Sequence, residues 1–188
     1  MTESGLWSSL QSGDINALRT LYDHHVNNLY KYGMVLVQDA DKVRDSIHDL
    51  FVSIWSGRER LAVPQSTKAY LMVSLRRRLF DKGSKMDSMT EALNTEMDPV
   101  GITEAHENTW IRAEEESDQN RKLQKAMACL SERQREIIHM KYYQELEYED
   151  ISRIMGMNYQ SARNLVNRAI AAMRKEMLLI VINILMLL

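Results

Sequence analysis

One cysteine (Cys129), two prolines and seven glycines are all that 188 residues contain of these types. The lone cysteine excludes an internal disulfide framework, and no CxxC or Cys/His pair stands at metal-binding spacing, so a reducing cytoplasm and a chain without metal or cofactor are expected. Scarce proline and glycine, with apolar residues recurring at helical spacing, predict an all-α fold. Residues 1–9 lack a basic region followed by an apolar run, which argues against a signal peptide. Catalytic signatures are missing as well: there is no GxxxxGK[ST], HExxH or GxSxG, and His24, His25, His48, His106 and His139 pair with no nucleophile at a diagnostic spacing. A non-enzyme is expected.

What is present is 45% hydrophobic residues, enough for real cores, and a segmented charge pattern behind a net charge of -2. Residues 58–85 hold 8 basic against 2 acidic residues, 86–118 hold 1 against 10, and 119–175 hold 11 against 6. Two basic blocks flank an acidic one, the layout of two polyanion-facing modules joined by a segment that nucleic acid would repel.

Leu18, Leu21, Tyr22, His25, Val26, Leu29 and Tyr30 predict an amphipathic helix over 14–37 with Asp14 near its start, and His25 on its apolar face reads as a core or boundary histidine. Val43, Ile47, Leu50, Phe51, Ile54 and Trp55 predict a second helix, with Asp39 as N-cap and Gly57 as stop. Pro64 makes 59–67 a loop. A third helix is expected over 67–82, with Tyr70, Leu71, Leu75 and Leu79 inward. The periodicity fades over 85–118, read as a linker, and resumes with Leu123, Met127 and Leu130. A helix over 131–143 behind Ser131, another over 148–155, a break at Gly156-Met157-Asn158 and a long helix from Tyr159 make a helix-turn-helix. The expected organisation is two small helical domains, 1–85 and 119–176, an acidic linker at 86–118 and an apolar tail at 177–188.

The helix after the break exposes Tyr159, Gln160, Ser161, Arg163, Asn164, Asn167 and Arg168, side chains able to reach base edges or phosphates from the major groove. The plain alternative is a solvated helix face, since helix-turn-helix patterns also occur by chance, but DNA binding is the favoured reading. Leu130-Ser131-Glu132-Arg133-Gln134-Arg135-Glu136-Ile137-Ile138, Tyr148-Glu149-Asp150-Ile151 and Gly156-Met157-Asn158 resemble region four of the extracytoplasmic-function (ECF) sigma factors of bacterial RNA polymerase. Val43-Arg44-Asp45-Ser46-Ile47-His48-Asp49-Leu50-Phe51 resembles region 2.2 of the same family. Tyr70-Leu71 with Arg76-Arg77-Arg78-Leu79-Phe80-Asp81 resembles regions 2.3 and 2.4.

The resemblance implies a promoter-specificity subunit without catalytic residues. Asp45, His48 and Asp49 would dock on the β′ clamp helices of core polymerase, with histidine at 48 where glutamine is usual. Lys68, Tyr70, Arg76, Arg77, Arg78 and Lys82 would bind the minus-ten element, with arginine at 77 where asparagine is frequent. The Tyr159 to Arg168 row would read the minus-thirty-five duplex while region four meets the β flap. The acidic linker would thread the polymerase or serve as a tether. Independently of the family, cations interleaved with Tyr70 and Phe80 suit single-stranded DNA, where phosphates are neutralised and bases stack. The rival class is a stand-alone helix-turn-helix regulator that binds DNA without polymerase.

Residues 177–188 are apolar except Asn183. Twelve residues fall short of the ~20 that span a bilayer, so no transmembrane segment is expected. Fold-back onto the chain, an anti-sigma factor or other protein partner, and a membrane surface are the possible coverings.

Overall fold

The structure, a computed structural model, describes residues 2–80 and 126–186, with side chains as far as residue 176. The acidic 86–118 segment, Lys82, Lys85 and Leu123, and whatever covers the 177–188 tail, lie outside the described residues. Among the described residues every regular element is helical, as the periodicity predicts.

Helices α2 (Ile15–Val37), α3 (Ala40–Gly57) and α4 (Thr67–Phe80) follow the expected apolar stripes. Asp14 caps α2 by accepting from the Asn16 amide at 2.9 Å, and Asp39 caps α3 by accepting from the Lys42 amide at 3.0 Å. Each satisfies a backbone donor that the first helical turn leaves unpaired. Leu21, Leu29, Ile47, Leu50, Leu71, Met72 and Leu75 form the shared core. Helices α2 and α3 approach closely at Gly33, where an added Cβ would lie 2.6 Å from Val43 Cγ1.

A helix the periodicity does not predict, α1 (Glu3–Gln11), seals one end of this bundle. Its Trp7 is 1% exposed, donates from Nε1 to Thr67 Oγ1 at 2.9 Å, and meets the Tyr70 ring edge-on. Tyr70, expected to point inward, is half-buried. Glu3 accepts from the His25 ring at 3.1 Å, so His25 is a buried, partnered histidine, its pKa lowered by burial against the opposing pull of Glu3.

The second set of helices is α5 (Glu132–Ile138), a π-helical turn (His139–Tyr143), α6 (Tyr148–Met155) and α7 (Tyr159–Met186). The structure groups Met1–Ser84 and Glu132–Asn167 as one compact unit, within which α5, the π turn and α6 pack on α2 and α4. Lys85–Ser131 with Arg168–Leu188 is the other unit; its described part holds the buried Ala126, Leu130 and Ala169 and the exposed, free Cys129. No helix among the described residues is long and apolar enough to cross a membrane.

Candidate nucleic-acid interface

The helix-turn-helix is built as its local chemistry dictates. Helix α6 ends at Gly156, whose φ of +62° is a left-handed conformation that costs a side-chain-bearing residue about 1 kcal/mol or more. Asn158 restarts the chain as a helix: its Oδ1 accepts from the Ser161 amide at 2.7 Å. Ile151, Ile154 and Met155 of α6 and Ala162 and Val166 of α7 are all buried, Ala162 at 0% exposure.

With Ala162, Val166 and Ala169 inward, the opposite side of α7 is fixed. Tyr159, Gln160, Ser161, Arg163, Asn164, Asn167 and Arg168 are all exposed. Positions 160, 163, 164, 167 and 168 fall on one face by the three- and four-residue rule. Gln160 Nε2 donates to Asn164 Oδ1 at 3.2 Å, ordering two amides side by side. Tyr159 lies edge-on to Tyr148 at the start of the row.

On α3, Asp45, His48 and Asp49 are exposed and share a face, while Val43, Ser46, Ile47, Leu50, Phe51 and Ile54 are buried behind them. His48 Nδ1 lies 3.7 Å from Asp49 Oδ1. Among the described residues no group of three or more His, Cys, Asp or Glu side chains is arranged to hold a metal ion.

The basic helix α4 is different. Arg77 is exposed, but Arg78 bonds the Ser53 hydroxyl, and Arg76 and Lys68 are occupied by the second set of helices. Arg76 Nε donates to Glu136 Oε1 at 2.9 Å, and the same oxygen accepts from the Tyr32 hydroxyl at 2.8 Å. Glu136 is 4% exposed and Tyr32 0%. Burial, reinforced by the Glu136 charge, drives the Tyr32 phenol far above its ordinary pKa, so it remains a donor. For Arg76 burial works against the charge, yet the bond to Glu136 and its charge outweigh it and hold the guanidinium protonated. Lys68 Nζ donates to the Gln144 carbonyl at 2.5 Å. Lys68 and Arg76, expected at a DNA strand, are thus held by protein groups.

Sequence reasoning did not pick out Tyr32, Glu136, His139 or Gln144 as a cluster. Tyr32 continues the α2 stripe three residues beyond Leu29 and was open to discovery. Glu136 stands beside the buried Ile137, Ile138 and Met140, a charge among apolar residues that signals a buried partner without naming it.

Residues 120–173 match the family described as Sigma-70, region 4. The chain is similar to the ECF RNA polymerase sigma factor SigK of Mycobacterium ulcerans (strain Agy99), 21% identical over 178 residues and covering 91% of each chain. It is likewise similar to SigK of Mycobacterium tuberculosis (strain ATCC 25177 / H37Ra), 22% identical over 168 residues and 86% of each. Among solved structures, it resembles CnrH in complex with the cytosolic domain of CnrY, with a TM-score of 0.62 at 14% identity over 92% of this chain and 95% of that one. It also resembles the sigma factor RpoE of Bartonella quintana in co-crystals with the anti-sigma factor NepR, with a TM-score of 0.57 at 21% identity over 84% and 94%. At these identities the structural likeness speaks for the fold.

Proposed function

We propose that this chain, which belongs to the extracytoplasmic-function sigma factors of the sigma-70 superfamily, is the promoter-specificity subunit of a bacterial RNA polymerase, working in the cytoplasm. Sigma factors are non-enzymatic initiation factors, and the residues assigned here bind rather than transform. The observation that carries the reading is the row on α7. Its hydrogen-bonding side chains are exposed along one face of the second helix of a helix-turn-helix, inside the segment that matches region four. A helix so placed reads base edges from the major groove with its first turns.

In this reading Tyr159, Gln160, Ser161, Arg163, Asn164, Asn167 and Arg168 contact the minus-thirty-five duplex. The acidic face at Asp45, His48 and Asp49 docks on the β′ clamp helices, and the region-four module meets the β flap. Lys68, Tyr70, Arg76, Arg77, Arg78 and Lys82 hold the opened minus-ten strand, the cations neutralising phosphate and the aromatic supporting unstacked bases. An anti-sigma factor is the expected inhibitor, supported by the two structural neighbours, each described with a protein bound.

The test is reconstitution. The purified chain mixed with core polymerase should co-elute and direct initiation from promoters that core enzyme alone does not use. Permanganate footprinting should report opening near minus ten, lost in Arg76→Ala/Arg78→Ala while duplex binding is retained. A chain that binds promoter duplex but never core polymerase is a stand-alone regulator, and the proposal fails.

A further inference from the structure

We propose that the contact of α4 with the 132–155 segment is an autoinhibitory clasp that keeps Lys68 and Arg76 from a DNA strand, and that protonation of His139 releases it. The clasp is made of buried or half-buried polar groups whose partners all come from across it. Glu136 is shared by Tyr32 on α2 and Arg76 on α4; Lys68 on α4 reaches the Gln144 carbonyl. A cation spent on a buried carboxylate is unavailable to phosphate. Its consequence for promoter binding rests on the function proposed above, whereas the conformational step does not.

His139 sits at the centre, 8% exposed. Its ring stacks between Tyr32, 6.4 Å away at 19°, and Tyr143, 5.5 Å away at 12°. The charged groups facing it from α2 and α4 are Lys31 and Lys68, both cations. Glu145, beyond the Gln144 carbonyl, acts on Lys68. Among the described residues no carboxylate acts on the ring.

The hydrogen bonds set the ring's charge. Gln144 Nε2 lies 3.4 Å from the Asn28 carbonyl of α2 and 3.1 Å from His139 Nε2. An amide nitrogen only donates, so that ring nitrogen must be an unprotonated acceptor. Protonation turns it into a donor facing a donor. Turning the amide over does not repair this, because Oε1 would then face the Asn28 carbonyl, one acceptor against another. In the orientation present, Gln144 Oε1 is itself buried without a partner. A charged His139 is therefore met in the shut clasp only by turning the Gln144 amide, which gives up its contact to the Asn28 carbonyl and sets two acceptors face to face.

Burial, with Lys31 and Lys68 adding to it, brings the His139 pKa down from 6.5 to about 4. Opening removes Tyr32, Lys31 and Lys68 together, since all three belong to α2 or α4, and lets the ring recover toward its ordinary value. The open form then takes up the proton first. Between pH 7.5 and 5.5 the open-to-closed ratio should rise by up to about tenfold, from values of 6.5 and about 4.

Two measurements on the full chain test this. The first is the His139 ring titration by NMR in the unmodified protein: a midpoint far below 6.5 is expected, and an ordinary midpoint overturns the proposal. The second is energy transfer between dyes at Asp41→Cys and Glu149→Cys, both exposed, in a Cys129→Ser background. Glu136→Gln is included to weaken the clasp without adding a titrating group, so that both forms are populated. The open fraction should grow on acidification by about the ratio above, and His139→Phe, which keeps the stacking but cannot be protonated, should abolish the growth. The same pH response in His139→Phe, or none in its parent, overturns the proposal. Both readouts are free of DNA and polymerase, so failure of the sigma assignment leaves them interpretable.

Discussion

Removal of the Glu136 carboxylate is the perturbation whose size follows most directly from the structure. Its Oε1 accepts from Arg76 at 2.9 Å and Tyr32 at 2.8 Å. Breaking a buried ion pair by deleting one partner costs about 3 to 5 kcal/mol. The Arg76 side chain keeps 29% exposure, so water compensates part of its loss and the value belongs at the lower end. The Tyr32 hydroxyl has no such relief and contributes about 1 to 3 kcal/mol as a buried donor without an acceptor. Because these penalties overlap, Glu136→Ala should destabilise by about 3 to 4 kcal/mol. Urea denaturation followed by circular dichroism should show the midpoint falling by roughly 1.5 M, for a slope near 2 kcal/mol/M. A double-mutant cycle with Arg76→Ala isolates the pair: once the guanidinium is gone, loss of Glu136 should be milder by more than about 1 kcal/mol. Strict additivity, or a Glu136→Ala protein within about 1 kcal/mol of the parent, would refute the argument.

Gly33→Ala should destabilise by about 1 to 3 kcal/mol, because its Cβ would meet Val43 at 2.6 Å in the α2–α3 contact; thermal melts read this, and an unchanged midpoint shows that the helices separate freely. Stability should be at its full value above pH 6.5 and fall as the pH drops toward 4, since His139, depressed to about 4 in the fold, is protonated first in the unfolded chain. The loss is about 3 kcal/mol at most, and His25, lowered in the same direction, adds to it; a flat urea midpoint from pH 7 to pH 4.5 contradicts this. Asp49→Lys should leave the melting temperature unchanged, the residue being exposed, and abolish co-elution with core polymerase; a normal complex moves the docking face elsewhere.

Local chemistry made much of this fold legible. Asp14, Asp39 and Asn158 announce helix starts because a side-chain oxygen satisfies amides that the helix cannot, and each makes that bond. The apolar stripes of α2, α3 and α4 then settle which faces go inward. Helix α1 was not legible: it has nine residues, too short to be stable by propensity, and it is held by partners far along the chain, Thr67 through Trp7 and the Leu61 carbonyl through Gln11. The exposed rows on α3 and α7 were legible by subtraction, being what remains once the buried positions are assigned.

The clasp shows why a cation's destination is harder to read than a helix. Arg76 and Lys68 were assigned to DNA because a guanidinium and an ammonium in a basic run suit phosphate. The same donors suit any anion or carbonyl brought within reach, and here the oxygens are supplied by Glu136 and Gln144, 60 and 76 residues further on. No spacing rule links such positions; only packing of α5, the π turn and α6 onto α2 and α4 brings them together. In the proposed clasp the two destinations are competing states of one surface. A carboxylate buried at 4% exposure accepts hydrogen bonds from Arg76 and Tyr32 as a phosphate oxygen would, so in the proposed closed state Arg76 is met by the chain's own anion and Lys68 by a backbone carbonyl. If the proposed function and clasp hold, the strength of the Glu136 contact sets how much binding free energy polymerase and promoter must supply before those cations become available.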